Sequence, residues 1–401
     1  MDRREKMKLL TRAAQYDLCS APCATERDAA QQASTASDCS RDDIAQWLYP
    51  AALPNGKRIA LLKILQSNMC DNNCLYCAMR RSRDAERCGF TADELAAAFH
   101  QLAQRGIAEG LFLSSAVCGS APRTMEHMIA TVELIRFKYL FDGYVHLKLL
   151  PGCEEAAVER AVQIASRVSV NLEAPSASRL QRISGDKRFE ADLMQPIHWA
   201  REWLDRDPNT RTDITTQFVV GAAAESDQEI LATAEHLHRD LGLTRIYFSA
   251  FKPVRGTPLE NLPATPLLRQ NRLYESDFLL RHYGFSVEDL FFDESGNLSR
   301  STDPKMAWAQ QHPEFFPVEV NRASREELLR VPGIGPRSAA RILRLRGRAR
   351  FRYLEDLRAI GAVASRAAPF ILLNGRHTAQ QLSFFDWQPK ASGCTSWHTG
   401  G

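Results

Sequence analysis

The sequence predicts an α/β fold, a sheet of parallel strands joined by helices, followed by a small all-α unit. Three observations predict it. Six apolar stretches of strand length alternate with helical patterns between residues 58 and 250, the arrangement of βα units. The 401 residues, 44% hydrophobic and 25% charged, match soluble globular usage and leave room for about two to three domains. The net charge of +3 conceals a local excess: residues 318–377 carry 13 Arg, no Lys and 5 acids, while the remainder carries 38 basic and 43 acidic residues. One small segment is therefore built to meet an anion.

No apolar run approaches the roughly 18 residues that would suggest a membrane span. Nor does Met1-Asp2-Arg3-Arg4-Glu5-Lys6 open into the apolar core of a signal peptide. Those features predict a cytoplasmic protein with no membrane partner. Its ten cysteines are then thiols rather than a disulfide framework.

In chain order, residues 1–18 read as an amphipathic helix and 19–43 as an irregular stretch rich in Ser, Ala, Asp and Gln, so 1–50 is set apart. The α/β domain is expected over 51–290. Its predicted strands are 58–65, 110–113, 144–150, 168–172, 212–220 and 245–250. The first helix opens on the capping box Thr91-Ala92-Asp93-Glu94, and further helices are predicted at 124–139, 154–165, 195–204, 227–241 and 267–283. The pattern alone leaves doubly wound and barrel closures both open. A turn-rich linker is expected over 291–317, a helical domain over 318–376 and a tail over 377–401.

Directly after the first strand, Cys70-Asp71-Asn72-Asn73-Cys74-Leu75-Tyr76-Cys77 places three thiols at spacing CxxxCxxC. A loop of that length can wrap one iron–sulfur cube, each thiolate taking one iron and leaving the fourth open to a small chelating reactant. The alternative is a structural zinc site with Cys88 or His100 as fourth ligand, although no second CxxC knuckle is present.

The triplet at the end of the first strand of a βα array resembles the radical S-adenosylmethionine superfamily. That resemblance implies a partial (β/α)6 barrel, a [4Fe-4S] cluster on Cys70, Cys74 and Cys77, and S-adenosyl-L-methionine on the open iron. One electron, from a small reductase, then yields methionine and a 5'-deoxyadenosyl radical that abstracts hydrogen from substrate. It also implies cofactor contacts. Tyr76 holds the usual aromatic position near the adenine. Ser114 and Ser115 stand where the family typically has Gly-Gly-Glu, a departure that removes a carboxylate. Glu173 could supply the acid instead, and Gln217, Val219 and Gly221 lie on the strand whose backbone pairs with adenine. His146 and Lys148, two apart on one strand, face one way. If that face is the barrel interior, both are catalytic candidates at the substrate. Cys118 and Cys153 read as buried inert thiols, and Cys19, Cys23 and Cys39 as free thiols.

In the basic segment, Ser324 to Arg330 and Ser338 to Leu345 read as helices around Val331-Pro332-Gly333-Ile334-Gly335-Pro336-Arg337. The glycines permit a tight turn that leaves backbone N–H groups facing outward at a helix start, where the dipole favours phosphate. The segment resembles a helix-hairpin-helix DNA-binding motif. Gly333, Ile334, Gly335, Arg337, Ser338 and Arg341 are its candidate DNA contacts. A second hairpin, Leu354 to Ala368, lacks the second glycine and is expected to be mainly structural; a purely structural cap is the alternative for the whole unit. In the tail, Gln381, Leu382, Ser383, Phe384 and Phe385 resemble a bacterial sliding-clamp peptide, or else pack back on the helical unit.

The whole arrangement resembles a family of radical S-adenosylmethionine proteins assigned to DNA modification or repair. That resemblance implies DNA as substrate and a uracil-DNA-glycosylase-like protein as partner. An RNA-modifying enzyme and a DNA-binding scaffold with a structural or redox cluster are the alternatives.

Overall fold

A computed structural model of the chain describes residues 1–15, 48–52, 58–207 and 209–377. It divides into one unit of Met1–Arg281 with Phe285–Pro304, and a second of His282–Gly284 with the residues from Lys305 onward.

The first unit is organised by one sheet. A strand not anticipated from the sequence, β1 (Leu48–Ala52), precedes the six expected ones, β2 (Arg58–Leu65), β3 (Gly110–Ser114), β4 (Tyr144–Lys148), β5 (Arg167–Glu173), β6 (Asp213–Val220) and β7 (Arg245–Ala250). Their order in the sheet is their order in the chain. β1 runs antiparallel to β2, with Leu48 opposite Leu62, and every later pair is parallel. Strand order that never reverses has no switch point, which excludes the doubly wound alternative and gives a partial barrel. Helices Ala92–Gln104, Ala121–Glu133, Glu155–Ile164 and Gln195–Arg206 pack each on the next around it. Strands buried on both faces read as near-continuous apolar runs, and Leu111, Leu113, Phe218 and Phe248 are fully enclosed.

The N-terminal residues belong to this unit. Helix Arg3–Ala14, capped by Asp2 in a capping box with Glu5, packs on β2, and Lys6 pairs with Glu94 at 3.0 Å. Residues 16–47, with Cys19, Cys23 and Cys39, lie outside the described residues.

The segment 291–317, expected as a linker, is folded. The Gln228 N–H donates to the Gly296 carbonyl at 2.9 Å and the Leu298 N–H to the Asp227 carboxylate at 3.0 Å. That part closes over the start of helix Asp227–Leu241. Helix Pro304–Gln311 leads into the second unit, where Trp308 meets the rings of Phe315 and Phe316 edge-on.

The second unit is not all-α. Helices Arg325–Arg330, Pro336–Leu345, Leu354–Ala359 and Ala364–Ala367 are joined by a three-stranded sheet, β8 (Val318–Glu319), β9 (Ile371–Leu373) and β10 (Arg376–His377). Val318, Val320, Ile371 and Leu373 enter the same core as Leu328, Leu329, Ile342 and Leu357. Strands of two or three residues are too short to carry a period-2 signal, so sequence reading missed them. Gln381, Leu382, Ser383, Phe384 and Phe385 lie outside the described residues.

The two hairpins lock through Gly333. Its φ is +85°, and a Cβ there would sit 2.4 Å from the Val363 carbonyl oxygen. Gly333→Ala should therefore cost the second unit on the order of 1–3 kcal/mol, the usual cost of a strained backbone position. The check is urea unfolding of the full chain, and an unchanged midpoint for that unit would contradict the packing argument.

Candidate active site and nucleic-acid interface

The loop carrying the three thiols leaves the C-terminal end of β2, the end of a parallel sheet where ligands are held. Its backbone is tied to neighbouring segments: Leu75 N–H donates to the Ile183 carbonyl and Asp71 N–H to that of Val117, both at 2.8 Å. Cys70, Cys74 and Cys77 line a cavity of about 630 Å³ together with Tyr76, Ser114, Ser115, Lys148, Glu173, Gln217 and Val219. Most of the residues singled out in the barrel thus share one space.

Two do not. His146 lies beneath it, its Nε2 2.7 Å from Ser169 Oγ and its ring edge-on to Phe112 at 4.4 Å. A buried, hydrogen-bonded imidazole packed on an aromatic ring is part of the core. Gly221 occupies the turn after β6, where its N–H donates to the Glu225 carboxylate.

Sequence reading missed Lys187. Its ammonium meets Glu173 at 3.0 Å, and the two side chains are 8% and 6% exposed. Burial opposes the charge on Lys187, but Cys74 and Glu173 outweigh it and hold its pKa above the ordinary lysine value. Glu173 also bonds Tyr76, whose hydroxyl is pushed well up by burial and by that neighbouring charge. Glu173 itself has φ +66° at a bulge in β5, a position an L-residue holds only when its surroundings fix it. Burial raises Cys70 and pushes Cys77 up to about 12, Cys74 adding to the latter. Thiols in that state need a nearby cation to become thiolates. Cys74 stands 3.1 Å from Ser184 Oγ.

The fourth ligands considered for zinc are elsewhere. Cys88 closes the turn beyond the loop, its N–H donating to Asn68 Oδ1 at 2.8 Å, and His100 stacks on Tyr139 at 4.2 Å. Among the described residues no three Cys, His, Asp or Glu groups converge on a single ion. Three separated thiols on one cavity wall suit a cluster with one iron per cysteine better than a single tetrahedral ion.

In the second unit, Ser324 caps Arg325–Arg330 through a capping box with Glu327, and Gly335 is the N-cap of Pro336–Leu345. The first N–H groups of a helix have no intrahelical acceptor and face the approaching ligand. The candidate contacts divide. Gly335 and exposed Arg337 stand at that helix start. Ile334 and Ser338 have buried side chains, and the Ile334 carbonyl accepts from Lys305 at 2.6 Å. Arg341 Nη1 donates to the Ile360 carbonyl at 2.8 Å, joining the hairpins. In the second hairpin the Val363 N–H donates inward to the Gly333 carbonyl at 2.9 Å. Its loop amide is spent on packing.

Residues 315–367 match the helix-hairpin-helix motif family. Among curated proteins, the chain is 24% identical over 199 residues to the threonylcarbamoyladenosine tRNA methylthiotransferase of Thermotoga maritima, covering 48% of this chain and 44% of that protein. It is 21% identical over 294 residues to the tRNA-2-methylthio-N(6)-dimethylallyladenosine synthase of Aquifex aeolicus, covering 69% of this chain and 64% of that one. The chain spans less than two thirds of the length of either relative. Similar solved structures include methylornithine synthase, with TM-score 0.45 and 12% identity over 64% of this chain and 72% of that chain. The FeFe-hydrogenase maturase HydG of Carboxydothermus hydrogenoformans gives TM-score 0.44 and 14% identity, over 54% of this chain and 50% of that chain.

Two outcomes are expected. Burial, then the charges of Arg167 and Lys148, hold the His146 pKa well below its ordinary 6.5. The unfolded chain therefore takes up a proton that the folded chain refuses, so stability present above that value is lost as pH falls below it. A His146→Asn variant should lose less stability than the parent between about pH 7 and pH 5 in denaturant titrations; equal losses would refute this. Gly335→Ala, whose Cβ meets only the Tyr283 hydroxyl at 3.2 Å, should weaken duplex binding irrespective of sequence while leaving the unfolding midpoint in place. Fluorescence titration at two salt concentrations reads it, and unaltered affinity would exclude the helix start as a phosphate site.

Proposed function

We propose that this chain is a radical S-adenosylmethionine enzyme acting on a nucleic acid. The observation that carries the reading is the meeting of a CxxxCxxC loop and a buried Lys187–Glu173 pair in one cavity at the C-terminal mouth of a sequentially ordered parallel sheet. Cys70, Cys74 and Cys77 would hold a [4Fe-4S] cluster, and S-adenosyl-L-methionine would complete its open iron. Bound there, cluster and cofactor would supply reductive cleavage of the sulfonium, the one electron coming from an external reductase, and so hydrogen-abstraction chemistry. The donor set fits: three separated thiols, an acid and an ammonium for the amino and carboxylate groups of an amino acid, and Asn171 Oδ1, a buried cavity-wall oxygen with no protein partner.

The chain's own residues bind, orient and exclude water. Glu173 is held by Lys187 and Tyr76, so its carboxylate presents one fixed face. Ser115 Oγ donates to the Ala116 carbonyl at 2.8 Å and keeps the end of β3 in place beside the thiol loop. Lys148 offers donors only, and suits a substrate oxygen.

For the substrate, the tRNA-acting relatives favour RNA modification over the DNA substrate anticipated from the sequence. The helix-hairpin-helix match supports phosphate contacts that any duplex provides, and DNA modification or repair is the second reading on that ground. Reduced protein incubated with S-adenosylmethionine and either tRNA or duplex DNA, followed by nucleoside mass spectrometry, separates them. A new RNA nucleoside supports the first and a new DNA nucleoside the second. Cofactor cleavage with neither would remove nucleic acid as substrate. A Cys70→Ala, Cys74→Ala, Cys77→Ala variant should lose iron, and cofactor cleavage should fall to background. Retained cleavage would overturn the site.

A further inference from the structure

The first hairpin of the second unit is held from beneath by a residue outside the matched motif. Lys305, on helix Pro304–Gln311 and only 8% exposed, precedes the matched residues 315–367. Its ammonium donates to the Ile334 carbonyl at 2.6 Å and stands 4.6 Å from the centre of the Tyr283 ring. The carbonyl before it, that of Gly333, accepts from the Val363 N–H at 2.9 Å. Both loop carbonyls are thus taken up on the packed side. The Ile334–Gly335 peptide is trans, and a trans peptide sets its C=O and N–H on opposite sides. Holding the Ile334 carbonyl against a buried ammonium therefore turns the Gly335 N–H away from the core. That N–H donates to no backbone carbonyl among the described residues, whereas the Ile334 N–H is taken by the Val331 carbonyl at 3.1 Å.

We propose that Lys305 is a positioning residue for nucleic-acid binding. By fixing the Ile334–Gly335 peptide it aims the Gly335 N–H at a phosphate oxygen ahead of helix Pro336–Leu345, and it touches no phosphate itself. A hydrogen bond from an ammonium is stronger than one between neutral groups. Without it a buried carbonyl loses its donor, and the peptide is free to turn over. The reversed peptide presents an oxygen where the anion binds, which repels it. Because no base is contacted, the effect is the same on every sequence. The inference rests on the phosphate reading of the hairpin and adds the residue that orients it.

The test is titration of a fluorescently labelled duplex with the full chain over a series of salt concentrations. Lys305→Met, which keeps the apolar stem and removes the donor, should weaken binding about tenfold, with the slope of log affinity against log salt unchanged. A fall of about 0.9 in that slope would make Lys305 a direct phosphate contact and overturn the positioning role. Combined with Gly335→Ala, Lys305→Met should cost little more, because both changes act on one peptide. Additive losses, the mark of a general loss of folding, refute the proposal. A measurement on the parent chain needs no variant: the Gly335 amide resonance should move when duplex binds, and the Ile334 amide should stay. An unmoved Gly335 amide sinks the proposal. Parent-like affinity in Lys305→Met refutes the positioning role and leaves the phosphate reading standing, whereas no duplex binding by the parent chain refutes that reading and this inference with it.

Discussion

The first unit depends on closing an irregular backbone at the end of a strand. Residues 68–88 form neither helix nor sheet, so their peptide groups need partners supplied one at a time. Arg87 supplies four: its guanidinium donates to the carbonyls of Asn68, Met79, Arg80 and Arg83 at 2.6 to 3.0 Å. These carbonyls flank the thiols on both sides, so one planar cation clamps the loop's two ends together. Asn73 Oδ1 accepts from Arg80 and Ser82 within the loop, both at 2.9 Å. The thiols are thereby positioned by the chain itself.

The loop is then fixed against the sheet by a second device, the bulge at Glu173. In β5 the register passes from Asn171 opposite Gln217 to Glu173 opposite Phe218, and a bulge of this kind re-aims a side chain. The left-handed backbone there costs about 1–3 kcal/mol. Losing one partner of a buried ion pair costs about 3–5 kcal/mol, so removing Lys187 would leave the Glu173 carboxylate buried without its cation. The segment that delivers Lys187 is also the one whose Ile183 carbonyl and Ser184 hydroxyl touch the thiol loop. Strain, charge and loop position are coupled through Glu173, Lys187, Ile183 and Ser184.

Much of this was legible in the sequence, for specific reasons. The parallel strands announce themselves because burial on both faces makes them continuous apolar runs, and the thiol spacing is local. What was not legible depends on tertiary placement. Lys187 lies more than a hundred residues from Cys74, and nothing in Ser184-Gly185-Asp186-Lys187 marks it as more than a surface turn. Asn171 sits in an ordinary strand, and only the cavity shows its oxygen without a partner. His146 and Lys148 share a strand face, yet differ in depth, which period-2 alternation cannot report. The short strands of the second unit left no pattern, while its capped helices and glycine turn did.

The two hairpins differ in what their loops leave free for an anion. Their loops are related, with Gly333 and Gly361 both at positive φ near +80°, but only the first continues into a glycine at the next helix start. The second spends its loop amide on the Gly333 carbonyl, so packing consumes what recognition would use. Phosphate contacts of the remaining kind fix register along a duplex and carry no base identity, and arginines on an exposed surface add affinity that salt removes. Under the nucleic-acid function proposed above, discrimination between bases is assigned to buried polar groups, which are unequal in cost when left unpaired, rather than to the hairpins.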